Sequence, residues 1–211
     1  MDLEGGSLSD KAYAKVRDMI VNRQLTGGDV LVESRLTQTL NLTRTPLREA
    51  LVRLEGEGLL IKQKGHSFAV RQVSVVEFFQ SLKVRQYLES KAVSLAVDRV
   101  ERTDIELFRQ RIMDLSKEDI RKPAHWILDD EFHLWLARAS GNNVLADYIL
   151  RLRITTQLFE IGRPFDRNAA DAEEHLGILK ALADGNARAA ETAILRHLRN
   201  IEKDVRKIVT T

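Results

Sequence analysis

Two apolar helical repeats one tight turn apart, followed at once by two short β-prone runs, constrain this chain more than any other feature. Glu33 to Leu40 reads as a short helix and Asn41-Leu42 as the turn after it. Thr43 is placed to cap the next helix through its hydroxyl, and Pro46 is tolerated in that first turn, where backbone N–H groups lack partners anyway. Leu47, Ala50, Leu51 and Leu54 mark the inner face of this helix, which ends near Gly56-Glu57-Gly58. The runs Leu59-Leu60-Ile61 and Ser67-Phe68-Ala69-Val70 then read as strands, with Gly65 at the turn between them. An earlier helix is expected over Leu8 to Leu25, with Ala12, Val16, Met19 and Ile20 on one face, broken by Thr26-Gly27-Gly28-Asp29.

Three helices and a small hairpin form the layout of a winged helix-turn-helix. Charge fits that layout. Arg35, Arg44, Arg48, Arg53, Lys62, Lys64 and Arg71 face only Glu49, Glu55 and Glu57 in this stretch, whereas the two signs balance at 22 each from Val76 to Thr211. A local basic excess is an electrostatic footprint for phosphate. Arg44 and Arg48 are four apart and emerge on one helix face, away from Leu47 and Leu51. The first turns of a recognition helix enter the major groove, where arginine donates bidentately to guanine O6 and N7. Arg53 and Glu57, also four apart, read as a solvated ion pair.

The whole segment from Glu33 to Leu59 resembles the helix-turn-helix of the GntR family of bacterial regulators. The resemblance implies DNA contacts from Arg35, Arg44, Arg48 and the wing-tip Gly65. Thr43 and Thr45 suit phosphate contacts, and Lys64 and His66 flank the wing tip. Thr43 stands where serine is usual and Gly27 where proline is common, without removal of a contact.

Beyond Gln72-Val73 the pattern is helical throughout. Ser74-x-x-Glu77 opens a long helix to about Asp98, and Thr103-x-x-Glu106 opens another. Further helices are expected at 122–140, 143–161 (stopped by Gly162 and Pro164), 167–184 and 186–208, with Asn142 as the cap of the second of these. The fold class is therefore mostly α: a winged helix-turn-helix over 1–73 and an all-helical antiparallel bundle over 74–211.

Asp129 and His133 share a helix face, four residues apart, and His175 and His197 lie on the last two helices. Three neutral imidazoles and one carboxylate would hold a divalent ion with positions left open. Alone, an Asp-x-x-x-His pair is more often an ion pair or buried hydrogen bond. Asp129-x-x-Phe132-His133, Ala139-Ser140-Gly141-Asn142, Glu174-His175 and His197-Leu198 together resemble the FCD effector domain of one GntR subgroup. That resemblance implies a metal, commonly zinc or nickel, on Asp129, His133, His175 and His197, and a small carboxylic acid as effector. Arg85 matches an arginine that can face such a cavity and clamp a carboxylate; the alternative is an ion pair with Glu89. Trp126, Phe132 and Trp135 read as core, and His125 has no evident partner.

The expected protein is a homodimeric regulator, more often a repressor in the resembling family, that reads a pseudo-palindromic operator. It is not expected to be an enzyme. Two alternatives remain: a metal-dependent hydrolase fused to a DNA-binding module, with Glu131 or Glu174 as base, and a regulator whose metal is purely structural. Absence of cysteine, of an apolar run of membrane length and of a signal-peptide pattern fits a cytoplasmic protein without a membrane segment.

Overall fold

The computed structural model describes residues 7–117, 123–163 and 166–210, and the chain divides into two compact units. The first comprises Met1–Ser74 with Gln157–Pro164, and the second Val75–Thr156 with Phe165–Thr211.

In the first unit, helix α1 spans Leu8–Val21, α2 Glu33–Leu40 and α3 Arg44–Glu57. A capping box between Ser7 and Asp10 opens α1. Asn41, with φ +51°, turns the chain out of α2, and α3 starts three residues later. Ala12, Val16 and Ile20 of α1 meet Leu47, Ala50, Leu51 and Leu54 of α3 in a fully buried core. Thr43 occupies the cap position of α3, but its hydroxyl makes no capping hydrogen bond, contrary to the sequence expectation. Its side chain is exposed instead. The expected hairpin is one strand short of the sheet: β1 (Val30–Leu31) joins β2 (Leu60–Lys62) and β3 (Phe68–Val70) in the antiparallel order β1-β3-β2. Leu31 opposite Phe68 carries the added pairing into the core. Gly65, at φ +80°, makes the wing-tip turn between β2 and β3.

The second unit contains α4 (Val75–Ala96), α5 (Arg102–Leu115), α6 (Pro123–Ala139), most of α7 (Asn143–Gly162), α8 (Asn168–Ala183) and α9 (Ala187–Val209). No helix among the described residues is long and apolar enough to cross a membrane. Thr103 lies inside the first turn of α5, whose cap position is Glu101 without a side-chain bond, so Thr103-x-x-Glu106 is not the start of that helix. Asn142 does cap α7, accepting from the Leu145 amide at 3.0 Å. Gly162 is the last residue of α7 rather than a stop beyond it, and Pro164 lies outside the described residues. Helix α4 packs along α9 and α6, and α8 along α9 and α5, so α6, α8 and α9 supply the bundle interior with side chains from three directions. Trp126 and Phe132 are buried there, and Phe132 meets Phe108 edge-on at 5.6 Å between ring centres.

Two glycines near the end of α3 yield predictions of opposite sign. Gly56 lies within the helix with nothing near a prospective Cβ, so Gly56→Ala should stabilise by about 0.5–1 kcal/mol through the unfolded chain. Gly58 ends the helix at φ +88°, so Gly58→Ala should destabilise by about 1 kcal/mol. Urea midpoints that move in the same direction for both would contradict these assignments.

Candidate DNA-reading surface and metal centre

Helix α3 presents Arg44, Thr45 and Arg48 to one open groove, whose wall also includes Glu33, Glu49 and Val52. This follows from the periodicity: the buried positions 47, 50, 51 and 54 leave 44, 45, 48 and 52 facing outward. Arg35 of α2, Thr43, Lys64 and Gly65 are exposed as well. The His66 side chain lies outside the described residues. Arg53 differs from its neighbours. Its guanidinium bonds Asp10 and Glu57 at 3.2 Å each and covers the Tyr13 ring at 3.9 Å. Tyr13 in turn donates to Glu57 at 2.5 Å, and burial together with that carboxylate pushes its hydroxyl up to about 12. Arg53, which also lines the groove, forms the Glu57 pair that its spacing suggested and, beyond that expectation, ties α3 to α1 through Asp10 and Tyr13.

In the second unit, Asp129 and His133 of α6, His175 of α8 and His197 of α9 bring one ligand atom each to within 4.8 Å of all the others. All three imidazoles are buried. Asp129 Oδ1 lies 3.4 Å from His175 Nε2 and 3.7 Å from His133 Nε2, and the Nε2 atoms of His175 and His197 face each other at 3.4 Å. The outer ring nitrogens of His133 and His197 explain how those two rings are oriented. His133 Nδ1 donates to Glu89 Oε2 at 2.5 Å, and His197 Nδ1 donates to Glu174 Oε2 at 2.8 Å. A carboxylate only accepts, so both neutral rings carry their proton on Nδ1 and direct the Nε2 lone pair inward. His133 Nε2 is buried without a hydrogen-bond partner. The inward Nε2 lone pairs of His133 and His197 beside the Asp129 carboxylate suit a divalent cation, and a carboxylate behind a ring is the usual support of a metal-bound histidine.

The supporting carboxylates are themselves held. Glu89 pairs with Arg85 Nε at 2.6 Å, and Arg85 Nη1 reaches Thr156 Oγ1 at 2.8 Å. Glu174 accepts from Arg167 Nη2 at 2.6 Å and from Asn200 at 2.7 Å. Arg167 also binds Asp171 at 2.9 Å and Asp204. Asp129 gives its second oxygen to Arg153 Nη2 at 2.6 Å, and the same nitrogen binds Asp130 at 2.7 Å.

The electrostatics follow from that arrangement. Burial lowers all three imidazoles, His175 and His197 most, with Arg153 adding to the effect at His133 and the adjacent rings at the other two. They are neutral, as metal ligation requires. Burial alone would raise Asp129, but Arg153 first and then the imidazoles hold it well below the usual carboxylate range. Glu89 is likewise held down, against burial, by Arg85 and His133.

The four residues singled out as metal ligands therefore come together. Arg85 is engaged by Glu89, the ion-pair alternative, yet its Nη2 is buried with no partner, so one donor remains for a ligand. His125 meets the Leu115 carbonyl at 3.1 Å. Sequence reasoning missed Arg153 and Arg167 altogether and did not assign Glu89 and Glu174 as supports for histidines. Glu89 carried a local signal, its spacing of four from Arg85; Arg153 carried none.

Comparison with known proteins agrees with both halves. Residues 8–70 match the model of bacterial regulatory proteins of the gntR family, and residues 80–200 that of the FCD domain. The chain is 30% identical over 209 residues to the HTH-type transcriptional regulator LutR of Bacillus subtilis, covering 87% of this chain and 94% of that protein. It is 28% identical over 194 residues to the Nta operon transcriptional regulator of Aminobacter aminovorans, covering 90% and 91%. Among solved structures, Escherichia coli McbR/YncC shares the fold at a TM-score of 0.81 and 19% identity over 97% of this chain and 99% of that one. These relatives bear the names of regulators, not of enzymes, which leaves the hydrolase alternative without support. With an exposed arginine-bearing recognition helix in one unit and a helical bundle in the other, the chain belongs to the GntR family of DNA-binding transcription regulators and is of the type that carries an FCD domain.

Proposed function

We propose that this regulator binds a pseudo-palindromic operator as a cytoplasmic homodimer, represses transcription, and is switched by a small carboxylate bound beside a divalent metal, zinc or nickel. Arg44 and Arg48 read base edges in the major groove, Arg35, Thr43 and Thr45 hold the phosphate backbone, and Lys64, Gly65 and His66 form the wing contact. Asp129, His133, His175 and His197 hold the metal, which supplies a positive centre to attract the effector carboxylate. Two-fold symmetry of a dimer matches the symmetry of such an operator. To act as a switch, the effector must bind unequally to the DNA-competent and incompetent states.

One observation carries the carboxylate reading. Arg85 Nη2 and Arg153 Nη1 are buried guanidinium N–H groups with no partner, and their guanidinium groups support Glu89 and Asp129 beside the ligand cluster. Orphaned charged donors in a low-dielectric interior are costly, and an anion satisfies them. A regulatory role for the metal is favoured over a purely structural one by Arg153, which already balances Asp129 without an ion. Metal-free protein is accordingly expected to stay folded after chelation and to lose its answer to the effector; unfolding on chelation would instead mark the metal as structural.

Two measurements test the halves separately. In fluorescence anisotropy with DNA from its own promoter region, Arg48→Ala should weaken binding by about 1–3 kcal/mol, roughly fivefold to more than a hundredfold. Affinity and sequence preference equal to wild type would remove Arg48 from the reading surface. The second is pH dependence in the metal-free protein. The folded imidazoles have lowered pKa values, whereas unfolded histidine titrates near about 6.5, so below that point the unfolded chain binds protons that the folded chain does not. Stability should therefore fall as pH drops through about 6.5, by up to about 1.4 kcal/mol per pH unit for each imidazole. A urea midpoint that is flat or rises between pH 7.5 and 5.5 would contradict a cluster of buried neutral rings.

A further inference from the structure

From Val76 to Thr211 the two signs of charge balance, but along the last helix they do not. Helix α9 carries six cationic residues, Arg188, Arg196, Arg199, Lys203, Arg206 and Lys207, against Glu191, Glu202 and Asp204. At about 100° of turn per residue, all six cations fall within an arc of about 100°, opposite the buried stripe of Ala190, Ile194, Leu198, Ile201 and Val205. The three acidic residues lie outside that arc and are half-buried. Glu202 and Asp204 neutralise Arg206 and Lys207 at 2.8 Å each. Arg188, Arg196, Arg199 and Lys203 are exposed, and among the described residues their side chains have no ion pair or hydrogen bond. A solvated helix face usually mixes both signs, and like charges three or four apart, as at Arg196, Arg199 and Lys203, oppose helix formation. Between Arg188 and Arg196 the surface is an open groove lined by Gly177, Ala181 and Ala193, small residues that let an extended anion approach closely. Asp184 at its rim is taken up by Lys180 at 2.6 Å.

We infer that the outer face of α9 is a second nucleic-acid contact, one that follows the phosphate backbone of double-stranded DNA beyond the operator and reads no bases. From Arg188 to Lys203 the helix advances about 22 Å, a length over which each DNA strand carries about six phosphates. Three of the four uncommitted cations are arginines, whose guanidinium forks bind phosphate oxygens in pairs. DNA is also the polyanion that this protein meets at high local concentration, because flanking DNA is tethered to the same molecule once the recognition helix is seated. Contacts to phosphate add affinity and salt dependence without adding sequence preference.

The test compares wild type with a full-length triple variant, Arg196→Gln with Arg199→Gln and Lys203→Gln, by fluorescence anisotropy over a range of salt concentrations. Two duplexes from its own promoter region are used, one trimmed to the footprinted operator and one that extends well beyond it on both sides. Each phosphate contact contributes about 0.9 to the slope of log affinity against log salt, so the variant should lose about 2 to 3 from that slope on the long duplex. It should also bind the long duplex about tenfold or more weakly at about 0.1 M salt. On the short duplex its affinity, slope and preference for operator over scrambled sequence should match wild type, which also shows that the variant folds. A second variant, Arg196→Lys with Arg199→Lys, keeps the charge and should keep most of the slope on the long duplex. Wild-type slope and affinity of the glutamine variant on the long duplex would overturn the inference. So would unchanged DNA binding with altered transcription from the promoter, which would assign this face to an acidic protein partner. Equal losses on both duplexes would mark a general effect of net charge and would equally contradict a contact beyond the operator.

Discussion

An aspartate and three imidazoles converge inside an apolar helical bundle, and the aspartate and two of the rings are held and balanced from behind. Asp129 leans on Arg153, His133 on Glu89 and Arg85, and His197 on Glu174 and Arg167. Removal of one partner from such a buried array leaves an uncompensated charge, which is far more damaging than the loss of a surface pair. The same supports fix which ring nitrogen faces inward. Without Glu89 and Glu174 the Nε2 lone pairs of His133 and His197 would have no reason to face inward. The support also reaches across elements, since α4, α7, α8 and the residue just before α8 each contribute a guanidinium or carboxylate.

The first unit meets the opposite requirement. A recognition helix must keep its charged face uncommitted, so its position has to come from its apolar face and from its far end. Four buried residues of α3 provide the first, and Arg53, Tyr13 and Glu57 the second. The arginine nearest the tie to α1 is consumed by it, while those in the first turns are not. Exposure of Thr43 fits the same division: a hydroxyl that does not cap its own helix is available to an external phosphate.

Much of this was legible in the chain. Helix α2 falls where its pattern places it, Gly65 makes the expected turn, and Asp129 with His133 shows its shared face through spacing alone. Local signals failed where pairing is non-local. Strand β1 has two residues, too few for any alternation, and exists because β3 offers an unpaired edge. Thr103-x-x-Glu106 has the letters of a capping box one turn inside a helix that begins earlier. Arg153 sits 24 residues from Asp129, in a run that reads only as helix, and no periodicity distinguishes it from the exposed Arg151. Arg85 shows both limits at once: its pair with Glu89 is written in the spacing, its bond to Thr156 is not.

The orientation of the imidazoles is the claim on which the sensory half stands, and nitrogen NMR reads it directly. Long-range proton–nitrogen correlation spectra of zinc-titrated protein should show His133 and His197 protonated at Nδ1, with Nε2 shifted to values of metal-bound nitrogen in step with one equivalent of zinc. Spectra that stay unchanged through the titration, or that place the metal on Nδ1 of either ring, would contradict it.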